Sequence, residues 1–193
     1  MPFSNIGVPP VSLDCYPAWS KKLVAVVDRA MSEAWRRMLR DHSILIHAGD
    51  EDTITDQLRT ELVAMRRENR PRGFGSAFFG VPTRDSKQRD CYGASIDQSP
   101  DLTIYPAHPR RGIADDQYDA LFFECKVLDR TRGMDLYRLN GIERFTTGRY
   151  AWRMPHAGMI AYVLDKHETS RARARTAKRS VLSLVYLTYR PWP

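Results

Sequence analysis

Two apolar stretches, one opened by an acid and the other carrying an acid and a lysine, constrain this 193-residue chain more than any other feature. The first is Leu102-Thr103-Ile104-Tyr105, led by Pro100-Asp101. The second, Leu121–Leu128, holds Glu124 and Lys126 two positions apart, and 22 residues separate Asp101 from Glu124. In a strand, residues i and i+2 share a face. Glu124 and Lys126 therefore project together, while Phe123, Cys125 and Val127 turn to the other side. Paired as neighbouring strands, the stretches bring Asp101 against Glu124. Two carboxylates and an ammonium then surround a point at which Mg2+ could sit. Charges inside a hydrophobic strand are costly to bury unless paired, so the context carries more weight than the letters. The same letters also fit an edge-strand ion pair between Glu124 and Lys126, with Asp101 as a turn residue.

The length suits one domain with a sizeable core. A formal net charge of +7, most of it from arginine, favours a polyanionic partner and steers it electrostatically. Cys15, Cys91 and Cys125 form no CxxC pair, which indicates a reducing interior rather than a disulfide framework. No secretory apolar segment and no bilayer-length apolar run is visible, so the cytoplasm is the expected location. No GxxxxGK[ST] loop and no serine or cysteine nucleophile signature occurs. His42, His47, His108, His156 and His167 include no pair at HxxxH spacing. They read as surface or core residues, with His108 the best placed to approach a cleft.

Along the chain, residues 1–18 read as an irregular, proline-rich arm and residues 19–193 as a single domain. From Trp19 to about Arg40, the apolar residues Trp19, Leu23, Val26, Val27, Ala30, Ala34 and Met38 recur at helical spacing. His42 to Gly49 reads as a connection. Asp50 is positioned to cap a second helix with the stripe Ile54, Leu58, Leu62 and Met65, running out before Pro71 and Gly73. Short strands are expected at Ala77–Val81 and Cys91–Ile96, then the two acid-bearing strands joined by a polar loop. A helix over Asp135–Phe145 follows, with Gly141 its weak point. Gly158–Leu164 is a strand, Lys166–Arg179 a strongly basic helix or helical loop, and Ser180–Tyr189 a last strand. The order predicts an α/β architecture, a central mixed sheet flanked by helices.

Asp101, Glu124 and Lys126, in this order of elements, resemble the PD-(D/E)xK nuclease superfamily, whose members share the restriction-endonuclease-like fold. The resemblance covers about residues 50–165. The segment Tyr137-x-x-Asn140-Gly141-Ile142-x-Arg144-Phe145, followed by Gly158–Val163, is similar to bacterial nucleases of this kind, many of them encoded in restriction or phage-defence loci. The resemblance implies a Mg2+-dependent nuclease, with Mn2+ able to substitute, acting on DNA ahead of RNA. It implies metal ligation by Asp101, Glu124 and the backbone carbonyl of Cys125, and a Lys126 that orients or activates water or stabilises developing charge. In many members the first core helix, here Glu51–Leu58, contributes a further acid, and Glu51 is the candidate. Glu51 equally fits a favourable acid at a helix N-terminus.

Basic residues that could follow a phosphate backbone are Arg144 and Arg149, Arg110 and Arg111, and the helical face of Arg171, Arg175 and Arg179. Each cluster also fits a solvated face. No groove-reading module is visible. The expected partners are nucleic acid and a second copy of the chain or a larger defence complex. Two other readings remain: a catalytically silent nucleic-acid-binding or assembly subunit of the same fold, and a basic adaptor whose acidic motif is accidental.

Overall fold

Ser20 starts the first helix by accepting a hydrogen bond from the Leu23 amide at 3.3 Å, satisfying one of the amides that a helix start leaves without a partner. The helix, α1, spans Lys21–Asp41 and buries Val27, Ala30, Met31, Ala34, Trp35 and Met38, a stripe spaced alternately by three and one. The computed structural model describes residues 15–91, 99–128, 141–149, 151–164 and 181–188. The expected connection after α1 contains a six-residue helix instead, α2 (Ser43–Ala48). It has no acidic residue in its first turn and no side-chain cap, so the usual signals of a helix start are missing from its sequence. Tertiary contact forms it, with Ile46 fully buried.

Helix α3 (Glu51–Glu68) starts as its sequence predicts. Asp50 accepts from the Thr53 amide at 2.8 Å, and Ile54, Leu58, Leu62 and Met65 are buried. It ends two residues before Pro71, at Asn69, which takes the left-handed conformation that asparagine tolerates. Arg37 on α1 pairs with Glu68 on α3 at 2.9 Å.

Among the described residues, a four-stranded mixed sheet forms from β1 (Leu102–Ile104), β2 (Leu121–Leu128), β3 (His156–Val163) and β4 (Val181–Thr188), in that spatial order. β1 and β2 are antiparallel, β2 and β3 parallel, β3 and β4 antiparallel. β2 is buried almost throughout, in keeping with a central strand that reads as a continuous apolar run. The helices cover one face, where Trp35 of α1 stacks on Tyr162 of β3 with centroids 5.5 Å apart. The Thr55 hydroxyl of α3 lies 3.1 Å from the Tyr162 hydroxyl. Each fully buried Phe or Met in this layer stabilises the fold by about 1.5–3 kcal/mol.

The strand expected at Ala77–Val81 is absent. Isolated bridges Phe79–Pro106 and Thr83–Thr103 flank the outer edge of β1 in its place. Cys91 lies in a turn, its amide bonded to the Gly148 carbonyl at 3.0 Å, and the rest of the strand expected there falls outside the described residues. Within Asp135–Phe145 the described part begins at Gly141 and includes a short helix, α4 (Glu143–Thr146). The basic helix or helical loop expected over Lys166–Arg179 also falls outside the described residues. No helix among the described residues is long and apolar enough to cross a membrane.

Candidate active site

The unequal lengths of β1 and β2 create the site. β1 pairs only as far as Leu102 opposite Phe123, so the edge of β2 beyond Phe123 loses its ladder. Orphaned strand amides in a buried setting need acceptors. Two carboxylates supply them. Asp101, one residue before β1, accepts from the Cys125 amide at 2.6 Å, and Glu51, the first residue of α3, accepts from the Val127 amide at 3.1 Å. The Asp50 cap fixes the start of α3, and with it the residue that reaches this edge.

Between these acids lies the Lys126 ammonium. Its Nζ donates to Glu51 Oε1 at 2.7 Å and to the Cys125 carbonyl at 2.5 Å. It lies 3.1 Å from Glu124 Oε1 and 3.6 Å from Asp101 Oδ2. Glu124 is fully buried, and Arg144, in α4, donates to its Oε1 at 2.8 Å. Gly141 brings the backbone close to the same carboxylate: a Cβ there would collide with Met159 and lie 3.8 Å from Glu124 Cγ. The residue that weakens a predicted helix thus lets the chain pack against the site.

Desolvation dominates the electrostatics of Asp101 and pushes its carboxyl above the usual range, against the opposing pull of Lys126 and the Cys125 amide. Burial pulls Lys126 down, but Glu124, Asp101 and Glu51 together outweigh it and hold the ammonium protonated above its ordinary range. The Cys125 thiol is fully buried and pushed up by desolvation, which makes it an inert core group rather than a nucleophile.

Every residue proposed for the acidic centre is therefore brought together: Asp101, Glu124, Lys126, Glu51 and the Cys125 carbonyl. The donor set is all oxygen, three carboxylates and a carbonyl, which suits a hard cation such as Mg2+. Among the described residues, no three acidic, histidine or cysteine donors form a ready-made metal centre. The acids converge on the ammonium, and a divalent cation would have to take its place. The residues fit the group in chemistry and number, with Lys126 turned aside.

The basic residues divide. Arg144 is at the site, on Glu124. Arg110 is not open to phosphate. Its guanidinium grips both oxygens of the buried Asp119 at 2.7–2.9 Å and donates to the Ala18 and Pro17 carbonyls at 3.0 and 2.6 Å. That use corrects the binding role expected for it: the loop carrying Arg110 folds back to anchor the chain entering α1. Arg111, Arg149 and His108 are exposed. Arg171, Arg175 and Arg179 lie outside the described residues. Sequence reasoning missed the carboxylate caps on the β2 amides and the Arg144–Glu124 pair. The signal for the first was the mismatch between a short apolar run after Asp101 and a long one around Glu124. No family model, curated protein or solved structure matches this chain.

Proposed function

We propose that this protein is a metal-dependent phosphodiesterase, a nuclease of the restriction-endonuclease-like kind that cleaves nucleic acid, DNA ahead of RNA. One observation carries the reading. Three carboxylates from three separate elements converge with the Cys125 carbonyl on a single cation position at the uncovered edge of a central strand. A purely structural lysine needs one partner; this one has four oxygens within 3.6 Å. The excess of arginine over the chain supplies a second support, since a phosphate backbone is the polyanion such a surface suits.

Asp101, Glu124, Glu51 and the Cys125 carbonyl would hold the Mg2+. The ion would supply an activated water and charge stabilisation at the phosphorus. The chain's own contributions follow from the geometry. Lys126, displaced from the acids by the ion, would serve as a hydrogen-bond donor and positive charge toward a phosphate oxygen. Arg144 fixes the Glu124 carboxylate and brings a second positive charge to the site. The β2 amides of Cys125 and Val127 orient the Asp101 and Glu51 carboxylates. A role in restriction or phage defence, with a second copy or partner subunit, extends this reading.

A second reading has its own support. Lys126 and Arg144 already pair with the acids, as they would in a silent nucleic-acid-binding or assembly subunit. Incubation with plasmid, linear DNA and RNA in Mg2+, Mn2+ or EDTA separates the two. Cleavage in Mg2+ or Mn2+ that EDTA abolishes is expected. Binding without cleavage of any substrate favours the silent subunit.

A further inference from the structure

On the helical side of the sheet, away from the acids at the β2 edge, a cavity of about 240 Å3 opens between the first half of α1 and the strands β3 and β4. Trp19 and Val24 give it apolar walls, and Asp28, His156, Tyr186 and the exposed Lys21 supply polar groups. The sheet builds the wall that carries Tyr186. Gly158 lies opposite both Phe123 and Tyr186 in the strand register. A side chain at Gly158 would collide with the Phe123 ring. Without one, Phe123 meets Tyr186 edge to face at 6.1 Å.

Two oxygens in this cavity are anomalous. Asp28 Oδ1 and Tyr186 Oη are both buried and have no hydrogen-bond partner among the described residues. Burial pushes the Tyr186 phenol up, and the Asp28 carboxylate beside it pushes it further. The phenol reaches the Asp28 carboxylate only as a loose hydrogen bond, which leaves neither oxygen well satisfied. Buried polar groups without partners cost about 1–3 kcal/mol each, and in native proteins each calls for an explanation. The groups facing the Asp28 carboxylate from the surrounding elements are Lys21 on α1, His156 on β3 and Tyr186 on β4. Lys21 is exposed to solvent.

The geometry points to a binding site for a small, flat organic cation, a ligand whose ammonium or amidinium nitrogen donates to Asp28 and Tyr186 while its apolar body lies against Trp19 and Val24. The cavity is smaller than those that take drug-sized ligands, which limits the occupant to about one substituted ring. A carboxylate and a tyrosine hydroxyl both accept from an amidinium fork, and aromatic rings favour a cation at close range. None of these residues belongs to the acidic centre, so the inference stands or falls independently of the nuclease reading.

The test titrates the full-length protein with benzamidine, and with neutral benzamide and anionic benzoate as isosteric controls, by calorimetry and ligand-observed NMR. Saturable one-to-one binding of benzamidine is expected, with benzamide at least tenfold weaker and benzoate unbound. Asp28→Asn removes the charge and should weaken benzamidine at least tenfold, and Tyr186→Phe should weaken it several-fold. Should Asp28→Asn fail to fold, Tyr186→Phe carries the comparison alone. Absence of saturable benzamidine binding to the wild type overturns the proposal, leaving a cavity that holds water. So does binding that is unchanged in the variants or equal for benzamide.

Discussion

Two buried ion clusters in this protein use the same chemistry toward opposite ends. At Asp119, one carboxylate meets one guanidinium, and the remaining capacity is spent: the Trp19 indole donates to Asp119 Oδ1 at 3.1 Å, and Arg110 completes its bonds on the Pro17 and Ala18 carbonyls. Arg110 also lies over the Trp19 ring, 5.7 Å from its centroid. At the β2 edge, three carboxylates face two cations among the described residues, Lys126 and Arg144. The first cluster is closed by stoichiometry. The second brings three carboxylates to two cations among the described residues, and it lies partly open to solvent. Matching of charge and hydrogen bonds marks an anchor. Convergence of several carboxylate oxygens from separate elements on one point is the arrangement a hard divalent cation takes.

Breaking the closed cluster should give the largest effect on stability. Arg110→Ala strands a fully buried carboxylate and should lower the unfolding free energy by about 3–5 kcal/mol, read by urea denaturation. Lys126→Met comes next. Its ammonium has a raised pKa, so its stabilising contribution is complete below the ordinary lysine value of about 10.4 and is lost only as pH climbs through the folded value. At neutral pH its removal should cost about 1–3 kcal/mol, and Mg2+ should restore more melting temperature to this variant than to the wild type. Equal Mg2+ responses would argue that the acids do not share one cation position.

Asp101→Asn sharpens the contrast, since it should abolish cleavage while stability holds or rises. The Asp101 carboxyl is raised, mainly by burial, so its contribution favours the fold below the ordinary carboxyl range and is lost as pH rises through the folded value. Asparagine keeps an acceptor for the Cys125 amide and carries no charge to desolvate. Its unfolding free energy should therefore be less dependent on acidic pH than that of the wild type, measured across the acidic range. The smallest effect belongs to Glu51→Gln. Glutamine can still accept from the Val127 amide, so stability should change by under about 1 kcal/mol, and cleavage should fall less than in Glu124→Gln.

The sheet and the two long helices were legible because periodicity and capping act locally. The stripe of α3 and its Asp50 cap follow from residues near one another in sequence, and the pairing of β1 with β2 follows from two apolar runs joined by one loop. Helix α2 was not legible, since its six residues lack the cap and the first-turn acid that announce a helix, and packing of Ile46 decides it. The convergence on Lys126 was partly legible. Spacing on one strand aligned Glu124 with Lys126, but Glu51 had an equally good local reading as a helix-start acid. Only the shortness of β1, which leaves the Val127 amide open, draws Glu51 to the strand edge. Arg110 misled for the converse reason. In sequence it is one member of a basic pair, and its partner Asp119 is met only when the loop closes.

Calorimetric titration of Mg2+ and Mn2+ into the wild-type protein and Asp101→Asn, at matched folding, tests most directly whether the converging acids at the β2 edge form a divalent-cation site. Saturable binding to the wild type is predicted, with Mn2+ substituting for Mg2+, and its loss in Asp101→Asn. No binding to the wild type, or the same binding in both proteins, would contradict the account.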